Sequence, residues 1–318
     1  MPRMLADLHL HFEGSVPRGT LVGIARKNGH SFGAEGAFES ALARSREAGS
    51  FLRLFADCCR VFGSPADYGE AAAALGRELA REVHHAEIYV SPEIWARFGL
   101  DPFAVLESID AALGRVEKET GARLLLLLDS VRQWGSDAAN RVLDVFERTR
   151  LARIVGFGIG GDEASVSARQ FRKVYERARR LGLSTTIHAG EWAGPQSVEE
   201  ALDELSPDRV DHGVRAVEDA RLLARLARSN VTLCVAPSSN VATGAAANWN
   251  KHPLPKLLDA GVSVCLSADD PAIFGTSTLE EYRRARVELK IGSDAIEAMK
   301  RTAWKARFVR AEAGNSLE

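Results

Sequence analysis

The chain has 318 residues, 46% of them hydrophobic, and a formal net charge of -2. That is ample for a sizeable core, and it leaves no global basic field for nucleic acid or anionic lipid. The four cysteines show no C-x-x-C spacing, no stretch approaches 18 uncharged apolar residues, and no signal-peptide pattern opens the chain; the expectation is a reduced, cytoplasmic protein without a membrane partner.

Eight short apolar runs read as strands, at 4–12, 84–91, 122–130, 154–161, 184–191, 208–214, 231–238 and 262–270. Helical patterns lie between them, at 66–82, 102–119, 136–151, 165–182, 194–204, 217–229 and 252–260, with C-terminal helices from 278 to 313. Continuous apolar strands alternating with helices predict a parallel sheet covered on both faces. Eight such units predict an α/β fold, the (β/α)8 TIM barrel, with extra helices after strand 1 and at the C-terminus. No Pro/Gly/Ser-rich linker divides the chain, so one domain over 1–318 is expected. The long segment 20–65 is expected over the barrel mouth as a lid. Its Phe51, Leu54, Phe55 and Phe62 recur at roughly helical spacing and read first as helix packing.

Polar residues collect where the apolar strands end. "ADLHLHFEGS" (6–15) ends strand 1 with His9 and His11; strand 5 ends in "HAGE", with His188 and Glu191; strand 6 carries "DHG", with His212; strand 8 ends in "SADDP", with Asp269 and Asp270. Residues i and i+2 on a strand face the same way, so His9 and His11 reach a common point. Three imidazoles and a carboxylate suit a borderline divalent ion, most often zinc, with an open position for a reacting water. An isolated H-x-H or Asp-Asp means little; ionisable groups at four of eight strand ends carry the reading, because burying them unpaired costs several kcal/mol each. The other histidines look structural or exposed: His30 in a loop, His84 and His85 at the opposite end of strand 2, and His252 at a helix start.

The order of "DLHLHFEGS", "GGDE", "HAGE", "DHGVRAVED", "SNVATG", "HPLPKLLDAGV" and "SADDPAIFGTSTLEEY" resembles the adenosine deaminase family of metal-dependent aminohydrolases over nearly the whole chain. The resemblance implies one zinc ion per chain, held by His9, His11, His188 and Asp269. It implies Glu191 as proton donor to the purine ring, His212 and Asp270 as the pair that orients and deprotonates the attacking water, and Gly161 as a backbone donor to the purine. Glu13 stands where adenosine deaminases typically carry an Asp that contacts ribose, and a Glu there is familiar from adenine deaminases. Gly158 stands where adenosine deaminases often carry Asp. The implied reaction is hydrolytic deamination of a 6-aminopurine nucleoside, adenosine or one like aminodeoxyfutalosine, with free adenine as the alternative. Another metal-dependent amidohydrolase, using the same ligands, gives no special reason for Glu191; a non-catalytic barrel should have lost a site residue, and none is missing. The expected partner is a small purine rather than nucleic acid or membrane, and the sequence sets no oligomeric state.

Overall fold

The computed structural model describes residues 5–45 and 47–309. Its strands, all parallel, are β1 (Ala6–His11), β2 (His85–Val90), β3 (Arg123–Val131), β4 (Ile154–Gly160), β5 (Ser184–Thr185), β6 (His188–Ala189), β7 (Arg209–His212), β8 (Thr232–Val235) and β9 (Val264–Leu266). The predicted fifth strand is broken into β5 and β6, but Thr186 N–H still bonds Phe157 C=O at 3.0 Å and Asp211 N–H bonds Ile187 C=O at 2.9 Å. The ring joins again where Asp269 N–H bonds His9 C=O and His11 N–H bonds Asp269 C=O, both at 3.0 Å. The architecture is the predicted (β/α)8 barrel, with strands such as β2, β4 and β7 wholly buried because helices cover the outer face.

The predicted helices are present, among them Pro65–Ala80, Pro102–Thr120, Gly135–Thr149 and Pro195–Leu205. The C-terminal segment forms two helices, Thr278–Val287 and Ser293–Lys305. Lys290, with φ 59°, turns the chain between them. Residue 4 of the first predicted strand and residues 310–313 of the last predicted helix lie outside the described residues. Between β1 and β2 run the expected extra helices, Arg18–Lys27, Ala37–Arg44 and Ala48–Cys59.

Two features of the barrel interior position the site. The far end is plugged: the buried Arg209 guanidinium pairs with Glu87 at 2.5 Å and lies over the Phe308 ring at 3.5 Å. His85 bonds Glu87 there at 2.9 Å, as its expected structural role requires. In β4, Phe157 and Ile159 pack outward, whereas Gly156, Gly158 and Gly160 leave the interior bare. A Cβ at Gly158 would meet the Tyr89 ring at 2.7 Å, so Tyr89 fills the space an aspartate there would need.

Candidate active site

Strand β1 carries an irregularity that aims its first histidine. Asp7 pairs with Ala86 and Leu10 with Ile88, so β1 has one residue more than β2 across that interval. Such a bulge redirects side chains, and it lets both Leu8 and His9 turn into the barrel. His9, His11, His188 and Asp269 then converge. His9 Nε2 lies 3.1 Å from Asp269 Oδ1, His11 Nε2 lies 3.4 Å from the same oxygen, and the His11 and His188 Nε2 atoms are 3.1 Å apart. Donor atoms arranged tetrahedrally around one ion at bond lengths of ~2.0–2.2 Å are separated by ~3.4 Å. The buried donor set therefore fits a divalent ion in both spacing and chemistry. The ions with an affinity for such a set are imidazole- and carboxylate-binding transition metals.

The second nitrogens of these imidazoles are also engaged. His9 Nδ1 sits 2.9 Å from Asp211 Oδ1. Asp211 also accepts from Thr186 Oγ1 at 2.9 Å and from the Tyr89 hydroxyl. His188 Nδ1 donates to Ile159 C=O at 3.2 Å. Burial opposes a charge on His9, but Asp211 and Asp269 hold its pKa well above the ordinary range. Burial and the neighbouring charge on His9 push His188 down to about 4. Outer partners of this kind fix ring orientation and tautomer. Asp211 has no spacing signal in the sequence beyond its place in "DHG".

Glu191, His212 and Asp270 reach the same cavity. Glu191 is held from behind by another carboxylate: Glu163 accepts from the backbone N–H groups of Gly190, Glu191, Trp192 and Ala193 and from the Ser197 hydroxyl. This nest of amides fixes the loop that carries Glu191. Burial, then the charges of Asp269 and Glu163, lift the Glu191 pKa well above its ordinary value, which favours the protonated form. Asp270 is raised in the same way by burial and by Asp269, and both its oxygens lack hydrogen bonds. A Cβ on Gly14 would stand 1.7 Å from Asp270 Oδ1. Gly14→Ala must therefore displace Asp270, and since a misplacement of about 1 Å at a reacting group can cost ~10²-fold, kcat is expected to fall about a hundredfold. Steady-state kinetics beside a thermal melt check this; wild-type activity would remove Asp270 from the reaction.

The cavity has a volume of about 230 Å³, below the ~300–1,000 Å³ of sites for drug-sized ligands. The predicted lid contributes Phe51 and Phe55, while Leu54 and Phe62 pack into the core. Gly161 lines the wall. Asp129, at the end of β3, was not foreseen: its Oδ2 accepts from Ser91 Oγ at 2.9 Å and its Oδ1 makes no hydrogen bond. Glu13 does not line the cavity. The strand ends at His11, and residues Phe12–Ser15 form a helical turn, so Glu13 does not continue the alternation that brings His9 and His11 together. Glu13 is buried against Trp95, whose indole N–H donates to Oε1 at 3.2 Å, and burial raises its pKa to about 7.

A barrel whose strand ends assemble this constellation defines a metal-dependent hydrolase of the amidohydrolase type, and comparison with known proteins gives its family. Residues 4–318 match the family model described as adenosine deaminase, and the chain belongs to that family of hydrolytic deaminases. Among curated relatives, the adenine deaminase of Sinorhizobium medicae is 36% identical over 308 residues, covering 96% of this chain and 94% of the relative. Among solved structures, the adenine deaminase from Arthrobacter aurescens superposes with a TM-score of 0.91 at 29% identity, covering 97% of this chain and 94% of that one. An amidohydrolase from Burkholderia ambifaria with bound Zn shares the fold, with a TM-score of 0.89 at 24% identity over 96% of this chain and 86% of that one.

Proposed function

We propose that the protein is a zinc-dependent adenine deaminase, converting adenine and water to hypoxanthine and ammonia. The observation that carries the substrate is the position of Glu13. The resemblance implied a nucleoside first, with Glu13 standing where adenosine deaminases carry an Asp that contacts ribose. Glu13 is instead turned into the protein and bonded to Trp95, and the cavity it leaves is small and lined largely by apolar side chains. The adenine deaminase names of the relatives support the same reading.

His9, His11, His188 and Asp269 would hold the ion, and zinc is the ion named in the Burkholderia structure. An ion there would supply Lewis acidity and a hydroxide nucleophile at neutral pH, and its charge would oppose the burial and the Asp269 charge that raise the Asp270 pKa. Asp270, its oxygens free, then takes the proton from the attacking water. Attack at C6 drives electron density to ring N1, where the protonated Glu191 delivers its proton. His212 faces the added oxygen, and the C6 amino group departs as ammonia after a second proton transfer. Gly161 presents backbone to the ring edge.

The test is ammonia release by purified, metal-replete protein from adenine, adenosine, 2′-deoxyadenosine and 6-amino-6-deoxyfutalosine. Adenine is expected to have the highest kcat/KM, by at least about a hundredfold, a discrimination within reach of steric exclusion combined with lost hydrogen bonds. A nucleoside as best substrate would overturn the substrate assignment while leaving the deaminase chemistry in place.

A further inference from the structure

We propose that Asn240 and His252 set the tautomer of His212, and thereby make His212 a hydrogen-bond donor to the reacting oxygen and keep it from binding the metal. The use of that donor rests on the deaminase reading above; the tautomer does not.

One group in this hydrogen-bond chain has a fixed role. The backbone N–H of Leu254 can only donate, and it points at His252 Nδ1 at 3.1 Å. His252 Nδ1 is therefore the acceptor nitrogen, and the neutral ring carries its proton on Nε2. That nitrogen lies 3.4 Å from Asn240 Oδ1. The oxygen side of the Asn240 amide is thereby committed to His252, and its Nδ2, which can only donate, faces His212 Nδ1 at 3.1 Å. His212 Nδ1 accepts, so the neutral His212 carries its proton on Nε2. Nε2 faces the site, 3.6 Å from Glu191 Oε2 and 3.9 Å from Asp269 Oδ2. All three side chains are buried. Burial pushes His252 down to about 4, so its ring is neutral near pH 7.

The consequence is a choice between two ligand sets. His9, His11 and His188 bring donor atoms close enough for one ion, and so do His9, His212 and Asp269. A protonated Nε2 has no lone pair to give, and Nδ1 is occupied by Asn240, so His212 drops out of the second set. Its N–H remains for the oxygen added to C6, on which negative charge develops.

Asn240→Asp tests this with almost no change in shape. A carboxylate only accepts, so it draws a proton onto His212 Nδ1 and exposes a lone pair at Nε2, or holds the ring as imidazolium. Nitrogen-15 NMR of histidine-labelled, metal-free protein should show His212 as the Nε2–H tautomer in the wild type and not in Asn240→Asp. The cobalt-loaded variant should differ from wild type in its visible absorption if Nε2 joins the ion. With zinc, kcat for adenine should fall by about 10²–10³-fold, the loss seen when one oxyanion donor is removed, with KM changed less than about threefold. His252→Phe frees the amide to rotate and should lose about tenfold; His252→Gln, whose side-chain N–H can again reach Oδ1, should recover most of it. These two variants and the wild-type spectrum decide the matter if Asn240→Asp fails to fold. A wild-type His212 protonated on Nδ1, or an unchanged tautomer and rate in Asn240→Asp, overturns the proposal. An Nε2–H tautomer that Asn240→Asp abolishes, in a protein inactive on adenine, would sink the substrate reading and leave this one standing.

Discussion

Glu191→Gln is expected to lower kcat by about 10²–10⁴-fold, the range carried by a positioned general acid, with metal content and melting temperature close to wild type. The substitution is clean because the Glu191 side chain does not hold its own loop. The four loop amides and the Ser197 hydroxyl bind Glu163. The amide of the variant therefore stands where the carboxyl stood, but it has no acidic proton for the ring. A loss in kcat and kcat/KM together marks an interaction made in the transition state, whereas a rise in KM alone marks ground-state binding. The pH profile gives a second readout. Burial and the Asp269 charge raise the Glu191 pKa, which favours the donor form, and that form is lost as pH rises through the raised pKa. The wild-type alkaline limb should contain this ionisation and the variant's should not. Wild-type rates in Glu191→Gln would make Glu191 structural and remove the main reason for preferring deamination over other hydrolysis.

Much of this site was legible because barrel strands are apolar until they end. A histidine or aspartate at that boundary stands out, and His9, His11, His188, Glu191, His212, Asp269 and Asp270 all did. The limits of the alternation rule show where the reading fails. Neighbours on a strand face opposite ways, yet Asp211 and His212 both face the site, as do Asp269 and Asp270. The backbone explains it: His212 and Asp269 hold left-handed φ values of 63° and 62°. Non-glycine residues in that region cost on the order of 1–3 kcal/mol and cluster at functional sites. No residue type in "DHG" or "SADDP" announces that geometry. Glu13 departs from the resemblance for a different reason: the strand ends at His11, and the helical turn that follows carries Glu13 away from the site.

The supporting groups were hidden by distance along the chain. Asp211 meets His9 from the far side of the barrel, Glu163 meets the Glu191 loop from the end of another strand, and His252 reaches His212 only through Asn240. Their motifs, "GGDE", "SNVATG" and "HPLPKLLDAGV", could be quoted from the sequence. Their roles depend on which atom faces which, and that is set by closure of the barrel.

Removal of the metal is the other large effect. Chelation is expected to abolish deamination, and His9→Ala to lose ion and activity together, with about one zinc per chain in the wild type by elemental analysis. His9 is the most enclosed of the four proposed ligands, fully buried between Asp211 and Asp269. Its removal leaves two buried carboxylates facing a void, so no neighbouring group can replace the nitrogen. Without an ion the negative charges of Asp211 and Asp269, both held well below the usual carboxylate range against the effect of burial, are balanced chiefly by His9. A divalent cation relieves that charge and should also stabilise the fold. An ion present at 1,000 times its Kd adds about 4.1 kcal/mol to the folded state. The chelated wild type should therefore melt several degrees lower and recover both Tm and activity when zinc is returned. His9→Ala should show neither recovery at the same zinc concentration. A chelated protein that keeps its rate would refute the metal site, whereas one that loses its rate but not its Tm would place the ion in catalysis with little part in stability.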